Sequence, residues 1–253
     1  MSVLAALLVA VGAADLLRSL GPQPSDAGRE TRGVPAAGLL VLVVVAAAAG
    51  LLTTWGGVVL TALAVMGLVA WLVCAERADR GSGHARALAV FALAVLAQLL
   101  GSGWAPPVGG WFADWLAWSH LPWQPDPDRA LLLAGLALVQ LATGNRLVRL
   151  VLVTTGALPA RPLPGRSDGE LRGGRLLGPL ERLFILGLGL AGELTAAGLV
   201  IAAKGLIRWP ELRSHADDDT SPGAIGIDKV TEYFLVGSFV SWLVAMTALV
   251  LAS

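Results

Sequence analysis

Charge is scarce in this chain. Asp, Glu, Lys and Arg make up 14 % of its 253 residues, while 56 % are hydrophobic. Soluble domains carry roughly a quarter charged residues, so a deficit of this size points to a chain that dissolves in lipid. Acidic and basic residues balance at 18 each, which removes the electrostatic basis for binding nucleic acid. Lysine is nearly missing: Lys204 and Lys229 stand against 16 Arg. With so much Ala, Gly, Leu and Val, that bias reads as a GC-rich, bacterial genome. Cysteine is limited to Cys74. An internal disulfide is therefore excluded and a Cys-based metal site is not expected; the thiol lies in an apolar run and reads as inert. No His-Glu-x-x-His, Gly-x-Ser-x-Gly or helix-borne paired-Asp motif occurs, and no cofactor is expected.

What the chain has instead is long apolar runs. A helix needs about 20 apolar residues to cross the hydrocarbon core. Seven runs approach this: residues 2–20, 34–54, 58–75, 87–103, 130–143, 180–206 and 230–252. A signal peptide is the rival for the first, but no basic stretch precedes it and no clear cleavage site follows. Trp55-Gly56-Gly57 reads as a tight hairpin between the second and third. None has an interior Pro; Pro35 falls in a first turn. The runs are continuous, not alternating, so strands do not compete. The expected fold is all-α, a polytopic bundle of about seven transmembrane helices. It forms one membrane domain: a five-helix part at 1–156, a cytoplasmic loop at 157–178 and a C-terminal hairpin at 179–253.

Basic residues concentrate in alternate connections, at Arg18, Arg29 and Arg32, then Arg77, Arg80 and Arg86, then Arg146 to Arg175. The positive-inside rule makes these cytoplasmic, with the N-terminus outside and the C-terminus inside a bacterial plasma membrane. The connection after the sixth run conflicts with this, because it should be outside yet carries Arg208 and Arg213.

Three connections have character. Residues 101–127 hold Trp104, Trp111, Trp115, Trp118 and Trp123, which suit an interfacial aromatic belt, with a lid or substrate surface as the sharper alternative. Asn145 to Leu152 reads as an amphipathic stretch at the inner surface or the snorkelling end of helix five. Residues 157–178 are Arg-, Gly- and Pro-rich, a cytoplasmic loop that either sets topology and attracts anionic lipid or docks a partner protein.

Ionisable residues inside spans are costly and are worth a functional hypothesis. Arg182, Glu193 and Lys204 follow at intervals of 11 residues, almost three whole turns, so one continuous helix would align them on a face. Glu193 would then lie near the bilayer centre. Gln140, and Gln98 nearer the outer end, are its candidate hydrogen-bond partners. Glu232 would return to the level of Lys204 and Arg208, with Glu181 and Arg182 at the inner interface. Gly237, Ser241 and Ala245 form a small-residue stripe for close packing.

The segments Gly178-Pro-Leu-Glu181-Arg182, Ala202-Ala-Lys204-Gly-Leu-Ile-Arg208 and Glu232-Tyr233-Phe-Leu-Val-Gly237 resemble, in order and spacing, the C-terminal half of a family of bacterial membrane proteins of unknown function. The matching stretch is residues 178–245, and the connection between Glu211 and Glu232 is longer here. The resemblance implies that the hairpin is a unit; it implies no activity.

Three functions fit these residues. The first is a small transporter, flippase or channel-like protein that uses Glu193 as a midplane carboxylate, although structural glue explains Glu193 equally well. The second is a non-catalytic subunit or anchor, docked through 157–178. The third is an intramembrane lipid-acting enzyme using His120, Asp114 or a Mg²⁺ held by Asp217, Asp218 and Asp219. It has the least support, since no catalytic constellation accompanies those residues.

Overall fold

A computed structural model describes residues 1–20, 33–120, 125–159, 172–203, 206 and 227–253. All regular structure among them is helical: α1 (Ser2–Leu20), α2 (Gly33–Ala48), α3 (Trp55–Asp79), α4 (His84–Leu100), α5 (Gly110–Trp118), α6 (Pro127–Leu138), α7 (Gly144–Thr154), α8 (Arg172–Leu190), α9 (Leu194–Ala203) and α10 (Ile227–Ala252). Four stretches are long and apolar enough to cross a membrane: α1, α3, Pro127–Thr154 and Tyr233–Ala252. Pro35–Ala48, α4 and α9 are apolar but shorter. The chain divides into two compact units, Met1–Thr143 and Gly144–Ser253.

In the first unit α1 is the core. Val3, Leu4, Leu7, Leu8, Val11 and Ala14 are all buried, against α2, α3 and α6. Glycine sets the approach of α1 to α6. A Cβ on Gly12 would lie 2.7 Å from Leu138 Cβ, and one on Gly135 would lie 2.9 Å from the Ala5 carbonyl. Small residues permit such backbone contact, which replaces the hydrophobic drive that lipid removes.

The turn between the second and third runs comes a few residues before Trp55-Gly56-Gly57, as a 3₁₀ turn over Leu51–Thr53. Thr54 then caps α3, its Oγ1 accepting from the Gly57 amide at 3.1 Å, which satisfies a donor that a helix start leaves free. The Trp-rich segment contains α5, with Asp126 capping α6 through the Arg129 amide at 3.2 Å. Trp104, Trp111, Trp115 and Trp118 are exposed, as an interfacial belt requires. Trp123 lies outside the described residues.

The fifth run is longer than expected. It continues from α6 through a π-helical segment, Val139–Thr143, into α7. Asn145 to Leu152 is thus the end of helix five.

In the second unit, α10 packs on α7 and α8. Ser238, Ser241, Ala245, Ala248 and Ala252 form its buried side, which extends the small-residue stripe that was anticipated. Gly237 meets Leu152 of α7. The sixth run begins earlier than the sequence suggests and ends sooner. α8 starts at Arg172 and takes Pro179 into its interior. It stops at Leu190, where Gly192 adopts φ +81°. The Glu193 amide donates to Leu188 O at 2.8 Å and the Gly192 amide to Gly189 O at 3.1 Å. This is a Schellman stop, which needs a left-handed residue and favours Gly. Glu193 O then accepts from Ala197 N at 3.1 Å as α9 begins.

α8 and α10 run parallel. Arg182 is bonded to Ser241, and a Cβ on Gly189 would lie 2.5 Å from Leu249 Cδ2. Moving forward along α8 moves forward along α10. The antiparallel hairpin of α8 and α10 that the sequence suggested is therefore absent.

Candidate functional site

The second unit places two ionisable residues halfway along α8. Glu181 stands nine residues from each end of Arg172–Leu190. That helix is about 28 Å long at 1.5 Å per residue. Both are buried, Arg182 with only 1 % of its surface exposed and Glu181 with 8 %. Adjacent residues point about 100° apart around a helix, so the two side chains leave α8 in different directions.

Arg182 Nη1 donates to Ser241 Oγ at 3.1 Å and Nη2 to Asn145 Oδ1 at 2.7 Å. The planar guanidinium thus ties α8 to α10 and to α7 at once, a reach that its divergent donors allow. Two glycines leave it room. A Cβ on Gly144 would come within 2.7 Å of Arg182 Nε, and one on Gly178 within 3.5 Å of Nη1 and 3.2 Å of Asn145 Oδ1. Glu181 Oε1 accepts from Trp242 Nε1 at 2.9 Å. Trp242 is nine residues from Tyr233 and ten from Ala252, the ends of the apolar stretch of α10. The Glu181–Arg182 step is thus halfway along α8 and beside the middle of the apolar stretch of α10.

The first unit has a second buried carboxylate, Asp15, 5 % exposed on α1. Its Oδ2 accepts from Trp71 Nε1 at 3.2 Å and from Thr143 Oγ1 at 2.9 Å. Thr143 ends the π-helical segment, an irregularity common at functional sites because it re-aims side chains. One turn further, Arg18 pairs with Asp79 at 3.6 Å.

The residues expected to form the site are dispersed. Glu193 is exposed at the break between α8 and α9. Because α8 and α10 are parallel, that break is level with the end of α10 and not with its middle. The face shared by Arg182, Glu193 and Lys204 needed an unbroken helix, and Gly192 breaks it. Gln140 is fully buried in the π-helical segment of the first unit. Gln98 is also in the first unit, donating from Nε2 to Leu60 O at 3.0 Å. Lys204, Arg208 and the triplet Asp217–Asp219 lie outside the described residues, as does most of 157–178. Glu232 is in the first turns of α10, and its side chain is outside the description. Glu181 and Arg182, expected at the inner interface, are the buried pair halfway along α8.

Asp15, Asn145, Trp71 and Thr143 were not anticipated. For Asp15 the signal was available: an acidic residue inside an apolar run, the same rule that singled out Glu193. Asn145, Trp71 and Thr143 are ordinary in sequence, and only packing gives them a role. Among the described residues, no group of three or more His, Cys, Asp or Glu is arranged to hold a metal ion. No family model, curated protein or solved structure matches the chain.

Proposed function

We propose that the protein is a small multi-pass transporter of a bacterial plasma membrane, with Glu181 and Arg182 as the charged element of its pathway. The observation that carries this reading is the burial of a carboxylate and a guanidinium halfway along α8, each bonded to a neutral group on another helix. Charge at that depth is expensive and faces the bundle interior. Scaffold helices reach comparable stability with apolar contacts alone, so a function is the economical reason to keep it. A carboxylate there can exchange a proton as its neighbours rearrange, which is what a coupled carrier requires. The midplane carboxylate of this reading is Glu181 in place of Glu193. The excess of Arg in segment 157–178 supports a cytoplasmic side for that segment.

The test is solute-driven proton uptake in liposomes containing the purified protein and an internal pH dye. Amino acids, sugars, organic anions and organic cations are added in turn. The expected result is uptake with at least one class, reduced tenfold or more by Glu181→Gln in protein of unchanged thermal stability. Uptake unchanged by Glu181→Gln, or none with any class, overturns the proposal.

A further inference from the structure

We infer that the turn joining α3 and α4 binds an anionic phospholipid, with Arg77 and Arg86 at its phosphate and its acyl chains along the exposed faces of the two helices. The inference begins with charge. Asp79 pairs with Arg18 at 3.6 Å, and Glu76 pairs with Arg80. Both carboxylates near the turn are thereby matched. Arg77 and Arg86 are exposed and have no carboxylate partner among the described residues. Two positive charges therefore remain at this end of the helix pair.

Helix register brings the two arginines together. A Cβ on Gly67 would lie 2.8 Å from Ala94 Cβ, Leu60 packs over Gly101, and the Trp71 and Phe91 rings stand 5.1 Å apart. Positions rise along α3 as they fall along α4, so the helices are antiparallel. Continued past Trp71, that pairing puts Arg77 about level with His84. Arg86 is then about two residues further along α4, roughly 3 Å on the axis. Packed helices are about 8–10 Å apart, a gap that two long side chains close. The backbone of the turn is fixed as well. The Gly81 amide donates to Ala78 O at 2.9 Å and the Ser82 amide to Arg77 O at 3.1 Å.

The faces that lead to the two arginines select a lipid over a free anion. Met66, Val69, Val73 and Arg77 follow at helical spacing and share one side of α3. Arg86, Leu93, Leu96 and Leu100 do the same on α4. All six apolar side chains are exposed, and α3 is long and apolar enough to cross a membrane. Each arginine thus ends an apolar stripe that an acyl chain would cover. A guanidinium binds phosphate through paired N–H donors, and basic residues beside a bilayer favour anionic lipid. The start of α4 points the same way. Gly83 provides no side-chain cap there, and His84 and Arg86 stand in a first turn that is already positive. An anion at this turn offsets charge that the helix itself does not.

The inference does not depend on the transport proposal. Its test uses the full chain in phosphatidylcholine nanodiscs doped with a phosphatidylglycerol that carries a diazirine in its acyl chain. The matching phosphatidylcholine probe serves as the neutral control. After photolysis, labelled peptides are mapped by mass spectrometry. Labelling of the two stripes is compared with that of the exposed face of α10 at Leu235 and Phe239. Relative to that face, the phosphatidylglycerol probe is expected to exceed the neutral probe on the α3 and α4 stripes by about fivefold for each arginine. Arg77→Gln with Arg86→Gln is expected to abolish the excess, and Arg77→Lys with Arg86→Lys to keep most of it. Arg129→Gln, at the far end of the unit, is expected to change nothing. Equal labelling by the two probes overturns the inference, as does an excess that survives the double glutamine variant or falls equally in Arg129→Gln. Loss of the excess in millimolar inorganic phosphate would make the occupant a free anion, and overturns it too.

Discussion

Arg182 donates to the Ser241 hydroxyl from the middle of α8 to the middle of α10, 3.1 Å away. Together with the approach of Gly189 to Leu249, that bond sets the register of the two helices. Its geometry leads to a stability prediction. Arg182→Ala removes the donor from both Ser241 and Asn145, and hydrogen bonds to charged groups contribute about 1.5–3 kcal/mol each. Thermal unfolding in detergent is expected to fall by several degrees. Arg182→Lys is expected to recover less than half, because an ammonium cannot serve two acceptors along a planar fork. A lysine variant as stable as wild type contradicts this account of the site.

Two glycine substitutions are expected to have opposite signs. Gly144→Ala places a methyl 2.7 Å from the Arg182 guanidinium, and overpacking of a filled site costs about 1–3 kcal/mol. Gly187→Ala meets nothing within 4 Å and gains up to about 1 kcal/mol of helix propensity. Denaturant titrations in the same detergent compare them directly. Equal effects would mean that Gly144 is not required by the guanidinium.

At Asp15 the prediction concerns shape against charge. Trp71 Nε1 and Thr143 Oγ1 both donate to its Oδ2. Asp15→Asn keeps one acceptor oxygen in place, whereas Asp15→Leu removes it and leaves two buried donors without it. The leucine variant is expected to be less stable than the asparagine variant by about 1–3 kcal/mol, the desolvation cost of such groups. The midpoint of thermal unfolding decides the order, and a leucine variant equal to or above the asparagine variant refutes the assignment.

The stop at Gly192 is expected to resist side chains. Its φ of +81° is left-handed, and a Cβ in that region costs roughly 1–2 kcal/mol. Gly192→Ala should therefore lower stability, while Gly192→Asn, which tolerates the conformation, should lower it less. The comparison is made by unfolding midpoint, and identical values would mean that the turn is not held in this conformation.

Much of the architecture was legible from local pattern. Runs of apolar residues gave the helices, because a backbone in lipid has to satisfy its own hydrogen bonds within each segment. Trp104, Trp111, Trp115 and Trp118, expected as an interfacial belt, are exposed. The reading failed where a single residue outweighed periodicity. The 11-residue spacing of Arg182, Glu193 and Lys204 was real, but it carried meaning only on an unbroken helix. Gly192 looked like one more small residue in an apolar run full of them. Whether a glycine continues a helix or ends it depends on where the following chain has to go.

Composition and order alone determined that this protein is a helical membrane protein with a few ionisable residues inside its spans. Those properties follow from the energy of moving each segment out of water, a sum over local residues. Which charges are buried between helices was decided only in the tertiary structure. Glu181 and Arg182 lie beside the middle of α10 and Glu193 beside its end because α8 and α10 pack in parallel register, and register depends on contacts such as Gly189 with Leu249, distant in sequence. α1 became the core of its unit for the same reason. Its side chains are no more apolar than those of its neighbours, and only the glycines that let α6 approach it distinguish a buried helix from a lipid-facing one.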